Sequence, residues 1–165
     1  IRNLQVRGEW WMSRRQPGTQ LNRPGFSGAD YYEPDERFVF VGSFVEDPTR
    51  VAVPSSAGSA SDYQSIGIAR ITVEGNSYDL TVLDDGDGGA FLAFGDATNG
   101  VTTYSGGRYV DVELGPGGRA AIDFNRAVNP YCVYDEEYSC PLPPRGNTIA
   151  VPIEAGERTY PTNAS

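Results

Sequence analysis

The sequence predicts an all-β domain, either a single antiparallel barrel or a two-sheet sandwich of about nine strands, with a short N-terminal helix. The chain contains 20 Gly, 12 Pro and 10 Tyr, a composition that suits short strands joined by turns. Short runs rich in β-branched and aromatic residues recur at regular spacing after residue 38. At 165 residues the chain has the size of one domain that can bury its own core.

The chain divides into three predicted parts. Residues 1–15 are predicted to form the helix, because apolar side chains recur there at helical spacing up to Trp11, shortly before a Pro-Gly pair. Residues 16–37 are rich in Pro, Gly and Asn and are predicted to form a loop. Residues 38–165 are predicted to form the β core, which includes a Cys- and Pro-rich loop at residues 126–147.

Within the β core, the apolar runs define the predicted strands, and Gly-containing segments at residues 74–76 and 115–118 are the predicted hairpin turns. The predicted strands are 38–45, 50–53, 63–73, 77–83, 90–94, 101–104, 107–114, 119–125 and 148–153.

The second hairpin brings polar side chains together. If Leu114 pairs with Arg119, the antiparallel register places Arg108 directly opposite Asn125 and diagonal to Asp123. These groups are then close enough for charge-assisted hydrogen bonds at one end of the sheet. The sequence leaves two interpretations open: a ligand site, or a partly buried salt bridge that ties the hairpin to the following loop.

Asp96 follows the strand at residues 90–94 and is expected to reach the same end of the sheet as Arg108. Its alternative role is local, because an Asp in an Asx turn accepts hydrogen bonds from nearby backbone N–H groups.

The two cysteines, Cys132 and Cys140, are separated by seven residues. A disulfide between them would close a short loop and contribute about 2.5 kcal/mol in the chain-entropy description, whereas buried free thiols are the alternative in a reducing compartment. Two cysteines without any histidine do not make a zinc site. The aspartates at residues 84–89 lack the distal Glu of an EF-hand, so we expect no metal site.

Composition excludes several classes of function. The net charge of −9 repels phosphate backbones, so a nucleic-acid partner is not expected. No apolar run approaches the roughly 18 residues of a membrane span. The absence of His removes Ser-His and Cys-His dyads, so any catalysis would use Asp, Glu, Tyr, Arg, Cys or a bound cofactor.

Several segments of this sequence resemble motifs of a known family, the bacterial and archaeal proteins grouped as domain of unknown function 1684, and the resemblance covers most of the chain. The similar segments are residues 26–28, 31–35, 94–100, 103–111, 123–132, 140–144 and 154–158. The chain departs from the family at residues 145–148, where members more often have Pro-Glu-Asn and an apolar residue. The resemblance implies a shared fold and a shared polar patch, but it brings no activity with it.

The resemblance also implies which polar residues form that patch. The predicted ligand-binding residues are Asp96, Tyr104, Arg108, Asp111, Asp123 and Asn125. The resemblance and the acidic charge balance together favour a cytoplasmic location. The cysteine pair instead fits an oxidised compartment, and the sequence is compatible with a signal peptide upstream of Ile1.

Our first functional hypothesis is a binding domain for a small polar or anionic ligand, with a pocket roofed by the cysteine loop and lined by Tyr109, Tyr131 and Tyr134. A second hypothesis is a hydrolase or isomerase that uses Asp123 or Asp96 as the base. The third is a structural or interaction domain without a pocket, and a flavin-binding barrel is a further alternative. The sequence leaves the cofactor, the enzymatic activity and the oligomeric state open.

Overall fold

The computed structural model describes residues 29–134 and 138–159, so the predicted helix at residues 1–15 lies outside the described residues. The described part contains three 3₁₀ turns of three residues each, at Glu36–Phe38, Phe124–Arg126 and Tyr131–Val133. The strands are β1 (Val39–Pro54), β2 (Ala60–Val73), β3 (Asn76–Asp84), β4 (Ala90–Asp96), β5 (Arg108–Gly115), β6 (Arg119–Asp123) and β7 (Thr148–Ile149). A search of the described residues for a helix long and apolar enough to cross a bilayer finds none.

Strands β1 to β6 form a closed antiparallel barrel, which confirms the all-β prediction and selects the barrel over the sandwich. The sheet runs in the order β3-β2-β1-β6-β5-β4-β7, and β3 also pairs with β4. That closing pairing is short, because it joins only Leu83 to Phe91 and Asp84 to Ala90. Strand β7 lies outside the ring and adds in parallel to the end of β4.

The described residues contain seven strands instead of the predicted nine, for two local reasons. The first two predicted strands are one continuous strand, β1, whose pairing with β2 shifts between Glu46 and Thr49. Pro48 lies at this bulge, where a missing N–H costs no ladder hydrogen bond. The predicted strand at 101–104 is a turn, since the Thr98 carbonyl accepts the N–H groups of all three residues 101–103. The last predicted strand shortens to β7.

Both predicted hairpin turns are confirmed, and each is one residue shorter than expected. Between β2 and β3, Glu74 and Gly75 have φ values of 48° and 80°, as a two-residue type I′ turn requires. Between β5 and β6, Gly115 pairs with Arg119 across a three-residue loop. Positive φ values of 73° and 71° at Gly117 and Gly118 let the chain reverse within that shorter loop.

The shorter loop overturns the predicted register of this hairpin. Val112 pairs with Ile122 rather than with Ala121. A shift of one residue turns every side chain of a strand to the opposite face. Arg108 therefore points into the barrel, on the face of Val112 and Ile122, whereas Asp123 points outward.

Two apolar clusters cover the two sides of the barrel wall. The inner cluster fills the barrel and includes Phe94 and Phe124, whose rings meet edge to face with centroids 4.8 Å apart. The outer cluster lies under the segment that carries the cysteines. Its buried members are Val53, Leu83, Phe91, Ala93, Tyr109, Val128 and Cys140. Strand β4 contributes to both clusters, which explains its nearly continuous apolar sequence.

Candidate functional site

A fully buried ion pair closes one end of the barrel. Arg108 begins β5 opposite Phe94, and Asp96 ends β4, so the closed sheet brings the two charges together as expected for this pair. Arg108 Nη2 lies 2.8 Å from Asp96 Oδ2, and both side chains are 0% exposed. Asp96 Oδ1 also accepts hydrogen bonds from the Thr98 backbone N–H at 2.7 Å and hydroxyl at 2.5 Å.

The segment after β7 provides the remaining partners of this pair. The Arg108 guanidinium donates to the carbonyl oxygens of Ile153 at 2.9 Å, Glu157 at 3.3 Å and Ala155. The Ile153 N–H in turn donates to Asp96 Oδ1 at 3.3 Å. These contacts compensate the burial of both charges and leave no path from Arg108 or Asp96 to a ligand in solvent.

Glu157 is a second buried carboxyl group near this pair. Its side chain is 3% exposed, and Oε2 accepts a hydrogen bond from the Asn129 backbone N–H at 2.8 Å. Burial raises the pKa of Glu157 to about 7, although the Asn129 bond and the charge of Arg108 both lower it.

This raised pKa predicts how Glu157→Gln changes stability with pH. The folded protein holds the proton up to about pH 7, whereas the ordinary pKa is 4.5, so wild-type stability falls as pH rises between these values. In urea unfolding followed by far-UV circular dichroism, we expect Glu157→Gln to match wild type at pH 5. At pH 8 it should be more stable by about 2 to 3 kcal/mol. Glu154→Gln, an exposed change in the same segment, should show no such gain in stability at pH 8. Equal effects of the two variants would contradict the role of the buried Glu157 carboxyl group.

Asp123 and Asn125 lie together, but not with Arg108, so the predicted network of these three residues is wrong. Asp123 Oδ1 caps the turn Phe124–Arg126 and accepts from the Asn125 backbone at 3.1 Å and from its side-chain amide at 2.9 Å. That amide group also exchanges hydrogen bonds with the Asp35 backbone, at 2.9 Å in each direction. The register shift in the β5–β6 hairpin is the physical reason for the separation.

An acidic cleft of about 180 Å³ lies on the outer surface beside Asp123. It brings together two of the predicted ligand-binding residues, Asp111 and Asp123. The cleft is lined by Val39, Val110, Asp111, Glu113, Ala121, Ile122, Asp123 and Arg126. The guanidinium of Arg126 lies 3.3 Å from a carboxylate oxygen of Glu113. Among the described residues that line the cleft there are three carboxylates and one guanidinium.

Tyr104 lies beside the cysteines rather than in the cleft. Cys132 and Cys140 are both free thiols, so the predicted disulfide is absent. Tyr104 packs against Val133 and Tyr134. Burial and the neighbouring Cys132 raise the pKa of Tyr104.

The tyrosines predicted to line one pocket are distributed over two clusters instead. Tyr109 and the half-buried Tyr131 belong to the outer cluster, while the buried Tyr134 packs with Tyr104.

Sequence reasoning missed Asn147, which completes the barrel wall where β3 and β4 separate. Its side chain is 0% exposed. The side-chain amide makes the hydrogen bonds that the backbone of a neighbouring strand would otherwise make. Oδ1 accepts the Thr81 N–H at 2.8 Å, and Nδ2 donates to the carbonyls of Thr81 at 2.9 Å and Ala93 at 3.0 Å. A lone Asn after a Pro-rich loop carries no periodic signal that would have identified it.

Comparisons with known proteins agree with this architecture. The model of a family described as "Protein of unknown function (DUF1684)" matches residues 24–158. The solution NMR structure of an uncharacterized protein from gene locus rrnAC0354 of Haloarcula marismortui is similar, with a TM-score of 0.72 and 29% sequence identity. That similarity covers 95% of this chain and 90% of the other. A comparison with curated proteins finds no match.

Proposed function

The chain belongs to the DUF1684 family of proteins of unknown function, and from this premise we propose that it binds a small organic cation in the acidic cleft. The observation that carries the proposal is the convergence of Asp111, Glu113 and Asp123 around one concave surface beside apolar side chains.

The charged side chains that line the cleft favour a cationic ligand over an anionic one. Three carboxylates and one guanidinium line the cleft, and the guanidinium is already paired with Glu113 at 3.3 Å. The hypothesis of an anionic ligand depended on Arg108, which is buried inside the barrel and bonded to Asp96. An anion at the cleft would meet carboxylates, whereas an ammonium group would meet opposite charge.

The geometry of Asp123 fits the same ligand class. Both of its hydrogen bonds from Asn125 go to Oδ1. Among the residues that the structure describes, no donor contacts Oδ2, which can therefore accept from a ligand.

The size of the cleft and its apolar wall define the rest of the ligand. Its volume of about 180 Å³ is below the roughly 300–1,000 Å³ of pockets for drug-sized molecules. Val39 and Ala121 provide apolar contact beside the carboxylates. A primary amine with a short alkyl chain matches both features, and partial exposure of the site predicts a weak affinity, on the order of 1 mM.

A titration with n-butylammonium chloride tests this proposal. We expect saturable amide chemical-shift changes in ¹⁵N-labelled protein at Asp111, Glu113 and Asp123, and none with sodium butyrate. Asp123→Asn keeps an oxygen that can cap the turn but removes the charge. The double variant Asp111→Asn/Asp123→Asn should weaken binding about tenfold or more. Asp62→Asn, an exposed change on β2 outside the cleft, should bind like wild type.

Two results would contradict the proposal. The first is an equal response to butyrate and butylammonium, and the second is a butylammonium response that the double variant retains.

A further inference from the structure

The two cysteines form a pair of adjacent free thiols on the outside of the barrel wall. Cys132 lies in the turn Tyr131–Val133 and is half-buried, whereas Cys140 is 5% exposed and belongs to the outer apolar cluster. The Cys132 backbone N–H donates to Cys140 Sγ at 3.1 Å, which fixes one sulfur beside the other residue.

The polypeptide around the pair is anchored to the barrel. The backbones of Ser56 and Cys140 are joined by a bond from Ser56 N–H to the Cys140 carbonyl at 2.9 Å. The Cys140 N–H donates to Ser56 Oγ at 3.0 Å, and the Leu142 N–H donates to the Pro54 carbonyl at 2.7 Å. Two hydrogen bonds of Cys140 and one of Leu142 therefore tie this stretch to the end of β1 and to the residues that follow it.

The surroundings favour a thiolate on the more accessible sulfur. The neighbouring side chains of Cys140, Ser56 and Tyr104 favour the charged form of the Cys132 thiol. They lower the pKa of Cys132 to about 6, against an opposing effect of burial. The pKa of Cys140 is raised, because its proton is held by Cys132 and its side chain is buried.

We propose that Cys132 and Cys140 form a peroxide-reactive pair, in which Cys132 is the attacking thiolate and Cys140 the resolving thiol. A half-buried nucleophilic sulfur beside a buried protonated one is the arrangement that this chemistry requires.

Oxidation of the cysteine pair by a hydroperoxide takes place in two steps. The Cys132 thiolate attacks a hydroperoxide, the O–O bond breaks, and the products are Cys132 sulfenic acid and an alkoxide or hydroxide that takes a proton from water. The sulfur is oxidised by two electrons and the peroxide is reduced by two. The Cys140 thiol then attacks the sulfenic sulfur, which forms an S–S bond and releases water. A dithiol returns the pair to its reduced state by exchange.

Alkylation of the reduced full-length chain tests the first part of the proposal. The iodoacetamide rate of wild type should rise with pH around a midpoint near 6, rather than near the 8.5 of an ordinary thiol. At pH 6 it should exceed that of a free cysteine thiol about tenfold, after correction for the lower nucleophilicity of a low-pKa thiolate. Cys132→Ser should abolish this fast reaction, and Cys140→Ala, which removes a donor, should move the midpoint upward.

Oxidation with hydrogen peroxide tests the second part. Mass spectrometry of wild type should show a loss of about 2 Da and a peptide cross-linked through Cys132 and Cys140, both reversed by dithiothreitol. Cys140→Ser keeps a hydroxyl donor but lacks the resolving sulfur, so its Cys132 should accumulate a dimedone-trapped sulfenic acid. The cleft variant Asp111→Asn/Asp123→Asn should react like wild type, which separates this proposal from cation binding.

Three outcomes would overturn the proposal. They are an alkylation midpoint above pH 8, equal reactivity of the two thiols at pH 6, and peroxide oxidation of wild type that stops at sulfinic acids without the cross-linked peptide.

Discussion

Arg108→Met is expected to remove most of the stability of the barrel, with a loss of about 3 to 5 kcal/mol. The methionine fills much of the same volume but leaves the Asp96 carboxylate buried without its counter-charge. It also removes the donors to the carbonyl oxygens of Ile153 and Ala155. Since small domains are stable by only about 5 to 15 kcal/mol, the variant should unfold at low urea concentration. Far-UV circular dichroism at equilibrium measures the change.

Arg70→Met is the matched control for this prediction. Arg70 pairs with Asp79 on the exterior at 2.6 Å, a contact as short as that of Arg108, but the two side chains are 62% and 51% exposed. Solvent screens that pair, so its loss should cost less than about 1 kcal/mol. Equal losses for the two variants would show that burial does not set the cost, and a stable Arg108→Met protein would refute the structural role of the buried pair.

Asn147→Ala is expected to open the barrel where β3 and β4 separate, with a loss of about 3 to 5 kcal/mol. The change leaves the N–H and carbonyl of Thr81 and the carbonyl of Ala93 without their side-chain partner. The bond to Ala93 is buried and the two bonds to Thr81 are partly buried, so each missing bond costs part of the desolvation energy of the group left behind. Urea unfolding measures the total loss, and hydrogen exchange should locate it at the Thr81 amide.

Asn76→Ala is the control for Asn147→Ala. Asn76 is exposed at the start of β3, where its amide contacts the Glu74 carbonyl at 3.4 Å. We expect a change within about 0.5 kcal/mol there. A second variant, Asn147→Asp, keeps the acceptor for Thr81 but loses both donors, so it should also be destabilised. Slow Thr81 exchange in Asn147→Ala, which lacks the acceptor for this N–H, would contradict the role of this side chain.

The sequence predicted the all-β class, but not the choice between barrel and sandwich, because apolar periodicity and turn composition are local properties. The Glu74-Gly75 turn is one example, since its backbone conformation follows from residue type. The register of the β5–β6 hairpin was missed because Pro116-Gly117-Gly118 closes a loop one residue shorter than expected, and composition does not encode that difference. The consequence was large, because a one-residue shift exchanges the inner and outer faces of a strand.

Contacts between polar side chains could be predicted from the sequence only where the two residues lie at the ends of neighbouring strands. Asp96 and Arg108 met as expected because β4 and β5 are adjacent. The roles of Asn147 and Glu157 depend on a segment with little regular structure that returns to the barrel from far along the chain. No local pattern specifies such contacts, which arise from tertiary packing of the finished fold.

The carbonyl groups around Arg108 have a consequence for the order of events during synthesis. Strand β5 begins with a cation whose oxygen partners extend to Glu157, 49 positions later. Before that stretch has left the ribosome, the Arg108 guanidinium lacks these carbonyl partners and only water can take the place of the missing oxygens. Completion of the fold is therefore tied to the arrival of this late segment.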